Sequence, residues 1–320
     1  MMPGKKKNQF KFLIPTLLVV GILAYLFLAE SFSTQQKIIS TQSEKNKTQA
    51  LFIPVPYNWP LFYAALEKQA AKEAKAENSD NQAKERAVAA IAPHHDLAAE
   101  YTAELFSKLR SSEIKTVIII GPNHENSGTA DAITGLIDYR LLDGALGTDK
   151  EWVDWLVQEK LAISESGRFV NEHSIYALVP FIKYYFPEAK IVPIILKGGL
   201  PQEQALLLGE SLANRIEASD AIDSVIIIGS IDFSHYLTSE QANLKDLKTK
   251  EAILNRDYGL LYSFNDDYLD SPMTATAVIA AASSLGGDKT EIVANVNQAE
   301  ATGLVSVPSS TSYFTIIFNR

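Results

Sequence analysis

The 320-residue chain contains no cysteine. That excludes disulfides, cysteine-based zinc sites, iron–sulfur clusters, thiol nucleophiles and lipoprotein anchoring together. Phosphate-binding glycine loops are missing too: no G-x-x-x-x-G-K-[ST] segment and no G-x-G-x-x-G turn after a strand occurs, so nucleotide chemistry has no basis here. Nor is there a G-x-S-x-G elbow. Gly229-Ser230-Ile231-Asp232 lacks that form, which removes the support for a Ser-His-Asp hydrolase built from Ser230 or Ser234 with Asp232 and His235. Positive charge is short. The net charge is −9, and because residues 1–50 hold seven Lys against two Glu, the remainder carries −14. A body that acidic repels phosphate backbones, and nucleic acid is not an expected partner.

Long uncharged apolar runs are scarce as well, and Phe12–Ala29 stands out. As a helix it spans about 27 Å, close to the hydrocarbon thickness of a bilayer. Pro15 falls in its first turn, where a missing N–H is tolerated. Lys5, Lys6, Lys7 and Lys11 precede the run and hold the N-terminus in the cytoplasm. The expectation is a basic cytoplasmic segment (1–11), a single transmembrane anchor (12–29), and a domain outside the cell membrane. A cleaved signal peptide is the alternative. The run is long for one, and Phe27 spoils an A-x-A site, although Ser31 and Ser33 permit cleavage after Ser33. Residues 30–86 read as linker and lead-in: a Ser/Thr/Gln/Lys-rich tether, an irregular aromatic stretch over Leu51–Leu66, and an exposed Ala/Lys/Glu-rich helix over Glu67–Arg86.

From Ala87 to the end, short apolar runs alternate with longer helical stretches. Strands are predicted over Val88–Ala92, Thr116–Gly121, Lys190–Leu196, Ser224–Gly229, Glu291–Val296 and Tyr313–Phe318. Most are continuously apolar, as strands covered by helices on both faces are. Helices are predicted over Leu97–Arg110, Lys150–Lys160, Ser174–Tyr185, Gln202–Ala218, Ser239–Asn255 and Ala275–Ser284. This alternation gives an α/β three-layer sandwich around a central mixed, largely parallel sheet, as one domain over 87–320. Between Pro122 and Asp149 one strand is predicted, Ala130–Ile137, with loops covering the site.

Two segments echo each other: Lys115–His124 reads K-T-V-I-I-I-G-P-N-H, and Asp223–His235 reads D-S-V-I-I-I-G-S-I-D-F-S-H. Each is a buried strand, a glycine turn, then a polar loop ending in histidine. Val88–His95 ends similarly, in Pro93-His94-His95. Loops beyond the carboxyl ends of strands line the ligand crevice of open α/β sheets. The fifth histidine, His173, follows Glu172 at the start of a helix. A lone histidine is usually a surface or core group, but four at strand ends and one at a helix start predict a shared polar, metal-binding crevice.

The motifs P-H-H-D-L (93–97), G-P-N-H (121–124), E-H-S-I-x-x-L-V-P-F (172–181) and S-I-D-F-S-H (230–235) resemble those of the Memo family, also called AmmeMemoRadiSam system protein B. L-G-T-D (146–149) and S-Y-F-T (312–315) are weaker matches, and the resemblance covers roughly residues 87–320. It implies a fold similar to the class III extradiol ring-cleaving dioxygenases, which use non-haem iron. It further implies that His94 and His124 occupy metal-ligand positions, that Asp232 and His235 form the D-F-x-H pair, and that His173 belongs to the site. The family's cysteine position falls on Met273, and His95 departs from the commoner P-H-A-G-Y form, standing as a substitute ligand.

The candidate metal ligands are therefore His94, His124, His95 and Met273, and the candidate catalytic groups are His235, Asp232 and His173. Two histidines with a carboxylate (Asp96, Asp232 or Asp270) suit Fe(II); histidines with a thioether suit copper; three histidines with an open position suit zinc. Three functional classes follow: metal handling or redox work at the cluster, a non-haem Fe(II) dioxygenase-like enzyme with His235 as base, or a non-catalytic crevice for a small molecule or peptide.

Overall fold

A computed structural model describes residues 50–76 and 85–320. The apolar run Phe12–Ala29 lies outside the described residues. Among those described, no helix is long and apolar enough to cross a membrane.

The elements run β1 (Leu51–Pro54), α1 (Trp59–Ala76), β2 (Ala87–Ala92), α2 (Ala99–Leu109), β3 (Thr116–Pro122), β4 (Ala132–Thr134), β5 (Ile137–Leu141), β6 (Gly144–Gly147), α3 (Lys150–Gln158), β7 (Ile163–Ser164), α4 (His173–Tyr176) and α5 (Val179–Tyr185). There follow β8 (Lys190–Leu196), α6 (Gln202–Ala218), β9 (Val225–Ser230), β10 (Phe233–Leu237), α7 (Ser239–Leu254), α8 (Tyr258–Tyr262), α9 (Pro272–Ser284), β11 (Lys289–Asn297), α10 (Gln298–Thr302) and β12 (Ser310–Asn319).

The main sheet has the order β10-β12-β2-β9-β3-β8-β4-β7, with β11 also paired to β12. Its centre, β2-β9-β3-β8, is parallel. β12 pairs antiparallel with β2, β10 and β11, and β4 pairs antiparallel with β8, so the sheet is mixed. Every residue of β3 and β9 is buried. Alternate side chains feed opposite cores, as the two-residue period of a strand requires. Val117 and Ile119 join Phe106, Phe181 and Ile182 beneath α2 and α5. Ile118 and Ile120 join Leu208, Leu212 and Val278 beneath α6 and α9. Helices thus cover both faces, and the parallel strand ends all open at one edge.

α6 lies close on α9 because Gly209 has no side chain: a Cβ there would stand 2.2 Å from the Ala277 carbonyl oxygen. α9 starts three residues earlier than the apolar pattern suggests. Ser271 caps it by accepting from the Thr274 N–H, and Pro272 fills the first turn, where no N–H is needed.

The lead-in differs from its sequence reading. The helix there begins at Trp59 rather than Glu67, because Phe62, Ala65, Leu66 and Gln69 recur at helical spacing and bury one face. Phe62 meets Phe181 of α5 edge-on, with centroids 5.1 Å apart. Residues 51–54, read as irregular, pair in parallel with β5 and make a second sheet, β1-β5-β6. The stretch between Pro122 and Asp149, expected to hold one strand and covering loops, carries three strands instead. Leu142-Asp143 turns β5 back onto β6, which opens on Gly144 at φ 140°, a conformation glycine adopts freely.

Candidate metal centre

β2 ends at Ala92, and Pro93 carries the chain to His94, which is 5% exposed. Its backbone N–H donates to Asp232 Oδ1 (3.0 Å), fixing the turn. The ring is held on both sides: Nδ1 lies 3.1 Å from Ser230 Oγ, and Nε2 lies 3.2 Å from Asp270 Oδ2 and 3.7 Å from Asp232 Oδ2. Asp232 and Ser230 come from the end of β9, the strand beside β2. Asp270 sits just before α9 and is tethered to the same turn, donating its N–H to the Asp232 carbonyl (3.1 Å) and accepting the Asp232 N–H (3.2 Å).

His124 follows the end of β3. Glu172, buried at the start of α4, grips it twice: Oε2 accepts the His124 N–H (3.0 Å) and Oε1 lies 2.6 Å from the ring Nδ1. The same Oε1 accepts the Ser174 N–H, so one carboxylate caps the helix and orients a histidine. Ser174 Oγ donates to the Pro122 carbonyl, binding α4 to the end of β3. This approach needs Gly121, where a Cβ would fall 2.6 Å from Ser174 Oγ. His173 is thereby laid flat on His124, with ring centroids 4.0 Å apart and planes 19° apart. His94 meets both edge-on, at 5.2 and 5.1 Å. The potential ligand atoms of His94, His124 and His173 all lie within 4.8 Å of one another.

Charge divides these rings. Burial acts to lower the His94 pKa, but the carboxylates of Asp232 and Asp270, with Glu172 behind, outweigh it and hold the ring up at about 9. Burial drives His173 down to about 4, helped by its two histidine neighbours and opposed by Glu172 and Asp232. Burial acts to raise Glu172, but its bond to His124 and the N–H groups of Ser174 and His124 prevail, holding it below the usual carboxylate range. His173 is therefore a neutral imidazole at physiological pH, ready to donate a lone pair.

The donor set fits a transition metal. Three imidazoles from separate stretches converge, and the Nδ1 atoms of His94 and His124 are each held by an oxygen partner, the outer-layer arrangement typical of metal-binding histidines. The site opens on one side: the side chains of His124 and His173 are 32% and 44% exposed, against 2% for His94.

The other candidates are placed differently. His95 is exposed; its Nδ1 accepts the Leu97 N–H, capping the short turn Asp96–Ala98, and its ring lies 5.6 Å from Tyr313. Adjacent extended residues point apart, so His94 and His95 cannot both face inward. Met273 is 7% exposed and packs within the apolar cluster around α6 and α9. Asp232 engages His94, and no hydrogen bond joins it to His235 among the described residues. His235 lies three residues on, in β10; its ring lies 5.7 Å from Tyr236, and its Nδ1 is buried without a hydrogen-bond partner. Asp270, one of the three carboxylates offered by the sequence, lies beside His94, whereas Glu172 was not put forward as a site residue. For Glu172 the available signal was a carboxylate directly before a histidine at a helix start.

A family model described as Memo-like protein matches residues 61–317. A MEMO1 family protein of Methanosarcina mazei is 30% identical over 222 residues, covering 67% of this chain and 80% of that one. Another, from Caldivirga maquilingensis, is 35% identical over 159 residues, covering 48% of this chain and 54% of that one. A crystal structure of an uncharacterized Escherichia coli K12 protein aligns remotely, at TM-score 0.47 and 10% identity over 72% of this chain and all of that one. The matched span takes in every residue of the histidine cluster, and the chain belongs to the Memo-like protein family.

Proposed function

We propose that this Memo-family chain binds a single metal ion on His94, His124 and His173 and does metal-handling or redox work there, with residues 12–29 anchoring it to the cell membrane and the domain outside. One observation carries the reading: ligand atoms of three imidazoles from three separate segments lie within 4.8 Å of one another. A bound ion would supply Lewis acidity and, if iron or copper, a redox couple. The protein's own part is to hold the rings. Glu172 fixes the His124 ring, Ser230 and Asp232 fix His94, and the stacking on His124 fixes His173. The exposed side at His124 and His173 leaves room for a small molecule or peptide to reach the ion. Support for the anchor comes from the uncharged run and the lysines that precede it.

The test is metal analysis of the full chain purified without chelators. About one equivalent of metal per chain is expected, falling severalfold when His94, His124 or His173 is changed to Ala. Less than about a tenth of an equivalent, with no uptake on reconstitution, contradicts the reading.

A further inference from the structure

We infer that α7 carries a self-complementary face on which a second copy of this chain docks in antiparallel fashion, so that the domain pairs about a two-fold axis. The inference is independent of any metal.

α7 packs on β10 and β12 through a side on which Ala242, Asp246, Thr249 and Ile253 recur at helical spacing and are buried. The opposite side of such a helix is ordinarily polar. Instead Leu244, Leu247 and Leu254 stand there at 61%, 62% and 45% exposed, with Glu251 among them. α8, packed against α7, exposes Leu260 as well. A single exposed leucine needs no explanation, but three on one strip of one helix mark a contact surface. Leu244, Leu247, Glu251 and Leu254 follow at steps of three, four and three, the spacing of a seam along which two helices pack lengthwise.

The charges choose the occupant. Glu251 is exposed within the seam and Lys248 at its margin, and neither side chain has a hydrogen bond or ion pair among the described residues, whereas Lys245 is engaged by Asp267 at 3.1 Å. A bilayer pressed on this face would bury the Glu251 carboxylate unpaired, which is costly. A second copy avoids that cost. Reversed about a two-fold axis level with Thr249, the seam meets itself: Leu244 lies opposite the partner's Leu254, and Leu247 opposite the partner's Glu251. Each Glu251 then has the partner's Lys248 only about 1.5 Å away along the helix axis, within reach of an ion pair across the seam. An isologous contact of this kind uses one patch twice and closes as a dimer.

The experiment is sedimentation equilibrium of the full chain in density-matched detergent, which keeps the apolar run Phe12–Ala29 in solution. It compares wild type with Leu247→Asp, Lys248→Glu, Glu251→Lys and the double variant Lys248→Glu/Glu251→Lys. A reversible dimer is expected for the wild type. Leu247→Asp should weaken it at least about thirtyfold, and each single charge reversal at least about tenfold, by setting like charges against each other across the axis. The double variant restores opposite charges and should return to within about threefold of wild type. These side chains are exposed, so thermal melts of the variants should match the wild type. Wild type that stays monomeric at about 0.2 mM overturns the inference. So does a dimer that Leu247→Asp leaves intact, or a double variant no tighter than either single one. Because the chain has no cysteine, cross-linking gives a second measurement without background. Leu244→Cys/Leu254→Cys should form a disulfide-linked dimer on mild oxidation, and a product that runs as monomer on a non-reducing gel overturns the inference as well.

Discussion

The ends of β3 and β9 start from nearly the same text and finish differently. Both strands read V-I-I-I-G, lie side by side in parallel, and are wholly buried. Three residues past its glycine, β3 delivers His124; three past its own, β9 delivers Asp232. The first becomes a candidate ligand gripped by Glu172, and the second the support that holds His94. The histidine that closes the β9 motif, His235, comes six residues past the glycine, after the chain has entered β10. The shared strand text locates a crevice. The residue third after the glycine decides what each strand end contributes there.

That contrast can be broken experimentally. The largest effect is expected from paired alanine substitutions: His124→Ala should weaken metal binding by at least about 100-fold, and His235→Ala by less than about fivefold, measured by chelator competition. Equal losses would mean the two strand ends are equivalent after all. Next comes the pH dependence of the metal-free protein. The folded-state pKa of His94, about 9, lies above its ordinary 6.5, so its stabilising contribution is complete below about pH 6.5 and is lost as pH rises through about 9. Urea unfolding of chelator-treated protein should show a loss on the order of 3 kcal/mol between about pH 6 and 10, absent in His94→Gln. A flat wild-type profile would show that Asp232 and Asp270 do not hold a charged His94.

A smaller effect separates the two glycines. At Gly121 a methyl group collides with Ser174 Oγ and Cβ at 2.6 and 2.8 Å, whereas at Gly229 it presses on Val278 Cγ2 at 3.0 Å. Gly121→Ala should therefore cost about 2 kcal/mol and loosen metal binding by moving α4 and His173. Gly229→Ala should cost about 1 kcal/mol, with metal affinity unchanged. Thermal melts and metal titrations of both variants check this.

Much of the architecture could be read in advance. The parallel strands are continuous β-branched runs, and α6 spans Gln202–Ala218, the bounds its pattern predicts, because a long amphipathic helix between Pro201 and Ser219 leaves little choice. The small sheet was less legible. β1, β5 and β6 are short, and their pairing comes from tertiary neighbours rather than local preference. The site divides similarly. Strand-end position pointed to His94 and His124, and a helix start to His173. It could not sort His95 from His94, since neighbours on an extended chain share every sequence signal and differ only in direction. Nor could it select Glu172 from 38 acidic residues, because only the fold brings that carboxylate to the His124 ring.

The most direct test is anomalous scattering from crystals of the protein grown with zinc. A single peak within about 2.2 Å of a ring nitrogen on each of His94, His124 and His173 is the predicted result. A peak at His95 or His235 instead, or rings that stay without metal at saturating zinc, would contradict it.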